Sequence, residues 1–374
     1  VARECAVLLV GLSVYFVGNE IGRAQLLVGA VTSAAFLRSL FTLIFGSLAL
    51  WQFHSAEAMM TAVSIGHVLS VLPIALALRR SIWAEGFEWP DRSDYAKLWS
   101  YGWPLLFAGG ASAIAVNIDR ILLHRFHGAD AVAPYGVTLD FIKQCFIIVG
   151  ESVAVSYVSL AKSFHGDNLA QKSAEALRKA FTTICFLATF GIVFFLLLGE
   201  PLLGVLLGSS YREAVPLIPW LALGNACLVI RAYYFAQVIY FSNSVRMELV
   251  SMTVALVVGA ALALLLVPSH GMAGATVAFT VSQLAALVSF FLARETWRLM
   301  PVDVPRLLVV VAAGTAAVMA GEIALETLPR NVAIAVNLAL ISAVSGTLLV
   351  QWDMFDAGKI WRRLGRTLGL LPQA

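Results

Sequence analysis

Charged residues are scarce in this chain. Asp, Glu, Lys and Arg make up 13% of its 374 residues, whereas soluble domains carry roughly 25%. Hydrophobic residues make up 60%, and the mean hydropathy is +0.87. A soluble globular protein is therefore excluded. The formal net charge of +3 is small, so no nucleic-acid partner is expected.

The motifs of metal, disulfide and nucleotide chemistry are also missing. The 4 cysteines, Cys5, Cys145, Cys185 and Cys227, contain no CxxC pair, so neither a zinc site nor a disulfide framework is indicated. The 6 histidines form no HExxH spacing, and the chain contains no GxxxxGK[ST] motif for ATP. We therefore expect no cofactor, no metal and no direct use of ATP.

Long apolar segments are what the chain does have. A helix that crosses a bilayer needs roughly 17–25 mainly apolar residues, and about eleven segments qualify. The predicted spans are 5–19, 30–51, 56–78, 101–121, 131–158, 180–199, 213–240, 248–267, 271–293, 306–325 and 332–351. This pattern predicts an all-α, polytopic membrane helix bundle.

The distribution of basic residues predicts the orientation. Of the 25 lysines and arginines, 17 fall in one set of alternating loops and in the carboxyl tail. Because cytoplasmic loops are enriched in Lys and Arg, the carboxyl terminus is predicted to be cytoplasmic. The opposite set of loops holds five, which are Arg3, Arg120, Arg125, Arg212 and Arg330.

Three ionisable residues, Asp140, Lys143 and Glu151, lie inside one apolar segment. Together with Gln144 they fall within an arc of roughly 100° on one side of a helix. A charge at bilayer depth costs on the order of 3 kcal/mol on insertion scales. This polar stripe on the helix therefore needs a polar partner or a water-filled cavity beside it, which indicates a transporter. Asp140 and Lys143 are three residues apart and are predicted to neutralise each other.

Further charges lie inside or at the ends of predicted spans. Arg38 is in the second span, where it either faces a cavity or reaches the headgroups. Arg231 is in the seventh span, beside Tyr233 and Tyr234, and either binds an anion or ties two helices together. Asp119 and Arg120 lie at the outer end of the fourth span, where they either form an outer gate or have only a structural role at the helix end. These alternatives remain open at the level of sequence.

Three blocks resemble the oligosaccharide-lipid flippases of the multidrug/oligosaccharidyl-lipid/polysaccharide exporter superfamily. They occupy residues 101–136, 197–224 and 264–283, in the family's order. The second carries an apolar-Gly-x-x-Tyr crossing, and the third an apolar-Pro-x-x-Gly-x-x-Gly-Ala turn. The residues of the first block that carry the resemblance are Pro104, Asn117, Asp119, Arg120, Gly128 and Tyr135.

The resemblance implies a two-lobed transporter with twelve to fourteen spans. On this basis residues 1–98 are the remainder of a first helical lobe, and residues 99–298 form the second lobe. Residues 299–351 are additional carboxyl-terminal spans, and residues 352–374 form a cytoplasmic amphipathic tail. Part of the first lobe, about three spans, is then expected to be missing upstream of Val1.

The function that the resemblance implies is not enzymatic. It is the transfer of a polyprenyl-diphosphate-linked oligosaccharide across the cytoplasmic (inner) membrane by alternating access, for cell-surface polysaccharide synthesis. Arg38, Lys143 and Arg231 are the predicted ligands of the diphosphate. The predicted ion-coupling or gating residues are Asp119, Arg120, Asp140 and Glu151.

Three alternatives remain. The first is an ion-coupled drug or small-molecule exporter of the same superfamily. The second is a membrane-embedded enzyme of polysaccharide synthesis, and the third is an inactive fragment. The expected partners are the lipid-linked oligosaccharide, membrane lipid and other polysaccharide-assembly proteins.

Overall fold

The computed structural model describes residues 2–25, 27–85, 91–166, 169–206, 209–242, 246–352 and 354. Over these residues the chain is helical and contains no strand, so the all-α prediction is confirmed. The chain divides into two compact units, Val1–Ser100 and Tyr101–Ala374. The predicted amphipathic tail, apart from Trp352 and Met354, lies outside the described residues.

The α-helices are numbered in chain order. They are α1 (Ala2–Ala24), α2 (Val28–Phe53), α3 (Ala56–Ser70), α4 (Leu72–Glu85), α5 (Arg92–His127), α6 (Ala129–Val153), α7 (Ser159–Gly166), α8 (Ala170–Leu206), α9 (Ile218–Tyr233), α10 (Ile239–Ser242), α11 (Arg246–Leu292), α12 (Arg294–Leu299), α13 (Val304–Thr327) and α14 (Arg330–Gln351). The boundary between the two units falls inside α5.

The first unit is built around α3, which packs against α1 and α2. The Ser55 side chain caps α3 by accepting a hydrogen bond from the Glu57 backbone N–H, at 3.2 Å, and so satisfies one of the free donors of the first turn. The Ser64 hydroxyl donates to the Val7 carbonyl at 2.6 Å. Gly11 makes this close approach possible, because a Cβ there would overlap Ser64.

The second unit is built around α8 and α9. In their most apolar stretches 67% and 61% of residues are buried, compared with 22% to 29% in the other spans of this unit. α9 packs against α6, α8 and α11, while α13 and α14 pack against α8. Phe186, Phe190 and Val193 of α8 meet Val310 and Ala317 of α13 in one apolar cluster. This arrangement places the polar residues of α6 and α9 next to the centre of the unit.

Helix α11 is a hairpin of two antiparallel arms. The backbone reverses at Gly271, where φ is 53° and ψ is −127°, a conformation that suits glycine. The Ser251 hydroxyl of one arm donates to the Ala286 carbonyl of the other at 3.0 Å. A His127 ring nitrogen contacts the Val267 carbonyl near the reversal at 2.8 Å. The turn predicted within residues 264–283 is thus confirmed.

Nine helices of the described chain are long and apolar enough to cross a membrane. The predicted spans 248–267 and 271–293 together form α11. The predicted span 101–121 lies within α5, and most side chains of this span fall outside the described part. The multi-pass membrane class is confirmed.

Candidate functional site

Arg120 and Asp140 form a two-pronged ion pair between α5 and α6. Arg120 Nη2 donates to Asp140 Oδ1 at 2.6 Å, and Nη1 donates to Oδ2 at 3.0 Å. α5 and α6 are joined by a turn at Gly128, whose φ of 79° favours glycine. Along its helix, Asp140 lies about 16 Å from that turn and Arg120 about 10 Å. The pair therefore lies about two to three helical turns away from the turn.

Asp119 is buried beside this pair. It accepts hydrogen bonds from the Tyr135 hydroxyl and from the Arg120 backbone N–H, the latter at 2.8 Å. Tyr135 is fully buried. Tyr135 lies five residues before Asp140 on α6, so both helices contribute one carboxylate and one donor. Asp119, Arg120, Tyr135 and Asp140 thus form one polar cluster, called here the α5–α6 cluster.

The predicted neutralisation of Asp140 by Lys143 is wrong. Asp140 pairs with Arg120 instead, because a guanidinium fork on a facing helix reaches both carboxylate oxygens at once. Lys143 is half-buried and has no ion pair with any residue that the structure describes. It is therefore a cation within a membrane span that lacks a counter-charge there.

Arg231 and Glu248 form the most deeply buried ion pair among the described residues. Arg231 Nη1 lies 3.3 Å from Glu248 Oε1, and the two side chains are 11% and 17% exposed. The contact joins α9 to the first arm of α11. Arg231 Nε and Glu248 Oε2 are buried and have no hydrogen-bond partner in the described chain. Each partner thus retains one unsatisfied polar atom, which is costly in a low-dielectric interior.

Glu151 faces α9 through Tyr233. Its carboxylate interacts with the Tyr233 side chain, so it has a polar partner on the facing helix. The preceding Gly150 allows this approach, because a Cβ there would lie 2.5 Å from Tyr233 Cδ2 and 2.8 Å from Val229 Cγ1. A π-helix, Ala154–Val158, begins three residues later. Such irregular turns are frequent at functional sites.

Arg38 lies in the first unit and stacks on an aromatic ring. Its Cζ is 4.8 Å from the centre of the Tyr15 ring, and His67 meets the same ring edge-on, with the ring centres 6.0 Å apart. Arg38 is half-buried and makes no ion pair with a residue of the described chain. A cation–π contact leaves the donors of the guanidinium available to an anion.

The predicted residues therefore fall into separate clusters. The stripe on α6 divides, since Asp140 faces α5 and Glu151 faces α9, about 16 Å apart along the helix. Sequence reasoning missed Glu248, which lies in the first turn of an apolar helix and resembles an interfacial charge. It also missed the bond between Tyr135 and Asp119. Among the described residues, no group of three His, Cys, Asp or Glu is placed to hold a metal.

Solved structures share this architecture. A lipid II flippase, MurJ, in an inward closed conformation matches with a TM-score of 0.70 and 10% identity, over 91% of this chain and 72% of that one. An outward-facing multidrug resistance MATE transporter of the MOP superfamily matches with a TM-score of 0.53 and 17% identity. That match covers 79% of this chain and 69% of the transporter. The chain shares the fold of these two proteins.

Two sequence comparisons also match parts of the chain. The model of the polysaccharide biosynthesis protein family matches residues 5–157. The capsular polysaccharide biosynthesis protein CapF of Staphylococcus aureus is 21% identical over 191 residues, which are 50% of this chain and 47% of that protein. The chain thus spans about half the length of this curated relative. The resemblance to oligosaccharide-lipid flippases of the superfamily is confirmed.

Proposed function

We propose that this protein moves a polyprenyl-diphosphate-linked oligosaccharide across the cytoplasmic membrane by alternating access. The observation that carries the proposal is the combination of a flippase-like fold with a match to the polysaccharide biosynthesis family. The oligosaccharide would serve cell-surface polysaccharide synthesis. Proteins that make or consume the lipid-linked glycan are the expected partners.

Lys143 and Arg231 are the proposed diphosphate ligands of the second unit, and Arg38 is the proposed ligand of the first unit. Arg38 and Lys143 support this role because neither has a counter-charge in the described chain. A buried or half-buried cation in a membrane span is costly unless an anion or water compensates it, and a bound diphosphate supplies that anion. Arg231 contacts Glu248 through one nitrogen only. Its Nε has no acceptor in the described chain, and a diphosphate oxygen would supply one.

The face of α6 that carries Asp140, Gln144 and Glu151 would line the polar pathway. These three side chains are exposed on the described surface, although they lie within a candidate membrane span. Contact with lipid would be unfavourable for the two carboxylates, so water or glycan hydroxyls are better neighbours. The glycan would cross along this face while the polyprenyl tail stays in lipid.

The carboxylates would couple transport to an ion gradient or gate the pathway. In the α5–α6 cluster, the Arg120–Asp140 pair would act as a gate. It joins two helices through a non-covalent contact, which can open and re-form. Buried Asp119 and the Tyr233-linked Glu151 would bind the coupling ion. On the orientation predicted by the basic residues, the carboxyl terminus lies in the cytoplasm.

The rival function is export of a cationic drug, which the likeness to the MATE transporter supports. The two functions are distinguished by reconstituting the chain in liposomes and measuring the transfer of two cargoes in parallel. One is a fluorescent polyprenyl-diphosphate disaccharide, followed by its accessibility to an external enzyme, and the other is a fluorescent organic cation. Transfer of the lipid-linked sugar alone supports the proposal. Transfer of the cation alone overturns it.

A further inference from the structure

A polar pocket lies at one end of the second unit, and none of the residues that line it belongs to the candidate site described above. It has a volume of about 340 Å³ and lies between the end of α8, a 3-10 helix (Ser209–Leu217) and the start of α14. α8 begins in a segment rich in lysine and arginine, which predicts that its start is cytoplasmic. Its other end, and hence the pocket, then faces the outside.

The pocket presents two guanidinium groups and one carboxylate. Arg330 donates to Glu200 at 3.0 Å, and both side chains are largely exposed. Arg212 lines the same pocket and has no hydrogen bond or ion pair with any described residue. The local charge is therefore positive by one unit. A free guanidinium fork suits the two oxygens of a carboxylate or of a phosphate group.

The remaining walls favour a saccharide over a bare anion. Leu203, Val215 and Pro216 supply apolar surface, and Tyr211 supplies a ring with a hydroxyl. The faces of a sugar ring are apolar and its edges carry hydroxyls, so such a mixed wall complements it. The volume lies at the lower end of the range for small-molecule sites, which fits one or two sugar residues.

We propose that this external pocket binds an acidic sugar residue of the glycan through its carboxylate, with Arg212 as the anchor. The proposal rests on the proposed function for the source of the ligand. The glycan emerging on the outer side would be held here before release. Arg330 would provide a second contact when it leaves Glu200.

Binding is measured directly on the full chain in nanodiscs of zwitterionic lipid, by titration calorimetry. The probes are a glucuronate-containing disaccharide, its neutral glucose counterpart and inorganic phosphate. We expect the acidic disaccharide to bind at least about tenfold more tightly than either of the others, since only it satisfies both the fork and the apolar walls. Equal binding of the neutral sugar, or equal or tighter binding of phosphate, would overturn the proposal.

Two substitutions test the anchor and the charge balance. Arg212→Gln is expected to weaken binding of the acidic disaccharide about tenfold, whereas the exposed control Arg125→Gln leaves it unchanged. Glu200→Gln is expected to strengthen binding, because a competing carboxylate is removed and Arg330 is released. Its control is Glu326→Gln, an exposed site on α13. A Glu200→Gln variant that binds more weakly contradicts the assignment.

A third substitution tests the location. Gly204 lines the pocket, and a Cβ there would meet nothing within 4 Å. Gly204→Leu should therefore fill the pocket without disturbing its surroundings and abolish binding, whereas Gly346→Leu, at another open glycine, should not. Because these titrations involve no transport, loss of liposome transfer with binding intact would overturn the proposed function and leave the external site standing.

Discussion

Arg120 on α5 binds both carboxylate oxygens of Asp140 on α6, at 2.6 and 3.0 Å. This contact replaces the local Asp140–Lys143 pair that sequence spacing favours. It explains how α6 carries an acidic and a basic residue one turn apart without joining them. Asp140 joins α6 to α5, whereas Lys143 has no ion pair with any described residue. This arrangement supports the proposed role of Lys143 as a ligand of the diphosphate.

Replacement of Asp140 by Asn is expected to destabilise the protein. The variant keeps the shape of the side chain and removes the charge that balances Arg120. Because Asp140 is about half exposed, the loss is expected to be about 1–2 kcal/mol, below the cost of breaking a fully buried pair. The free energy of unfolding in mixed micelles measures it.

The control for this substitution is Asp130→Asn, in the first turn of α6, where the side chain is exposed. A double-mutant cycle with Arg120→Gln isolates the pair. A coupling energy near zero would show that the contact contributes nothing to stability.

The Arg231–Glu248 pair allows a separation of structure from transport. Either single substitution, Arg231→Met or Glu248→Leu, leaves an unpaired buried charge and is expected to cost about 3–5 kcal/mol. The double variant, with neither charge, is expected to be close to the parent in stability. Unfolding of the three variants in parallel measures this.

Transport by the same double variant then tests Arg231. If Arg231 contacts the diphosphate, a well-folded double variant loses transfer of the lipid-linked sugar. A double variant that folds and transports at the parental rate would remove Arg231 from the substrate site.

Gly150 is expected to be intolerant of a side chain. Gly150→Ala places a methyl group against the Tyr233 ring and Val229, and such overpacking costs about 1–3 kcal/mol. The matched control is Gly346→Ala, where a Cβ meets nothing within 4 Å. There alanine is expected to stabilise the helix by about 0.5–1 kcal/mol. Equal effects at both positions would show that α6 and α9 do not approach as closely as the structure indicates.

The stacking of Arg38 on Tyr15 predicts a selective requirement for an aromatic ring. Tyr15→Phe keeps the cation–π contact and should behave like the parent. Tyr15→Leu removes the contact and is expected to cost about 1–2 kcal/mol of stability, part of it from lost packing. Thermal unfolding of the two variants and the parent in detergent micelles, followed by circular dichroism, measures the difference. Indistinguishable melting of the two variants would argue against the stacking.

Much of this architecture was predictable from the sequence, because span length and apolar composition are local properties. The turn between the arms of α11 was predicted from its Pro-x-x-Gly pattern, and Gly271 does adopt a positive φ. The partners of the charges were not predictable. Arg120 with Asp140 and Arg231 with Glu248 pair across helices, and that register is set by packing contacts that one sequence does not reveal. Local spacing therefore favoured Lys143 as the partner of Asp140.

The most direct test of the account is the transfer rate of a fluorescent polyprenyl-diphosphate oligosaccharide in liposomes that contain the parent, Lys143→Gln or the control Lys172→Gln. Lys172 is an exposed residue near the start of α8. The account predicts transfer by the parent and by the Lys172 variant, and a rate at least about tenfold lower for Lys143→Gln, since a charge-assisted contact with phosphate is lost. Equal rates for all three proteins, or rates equal to those of protein-free liposomes, would contradict it.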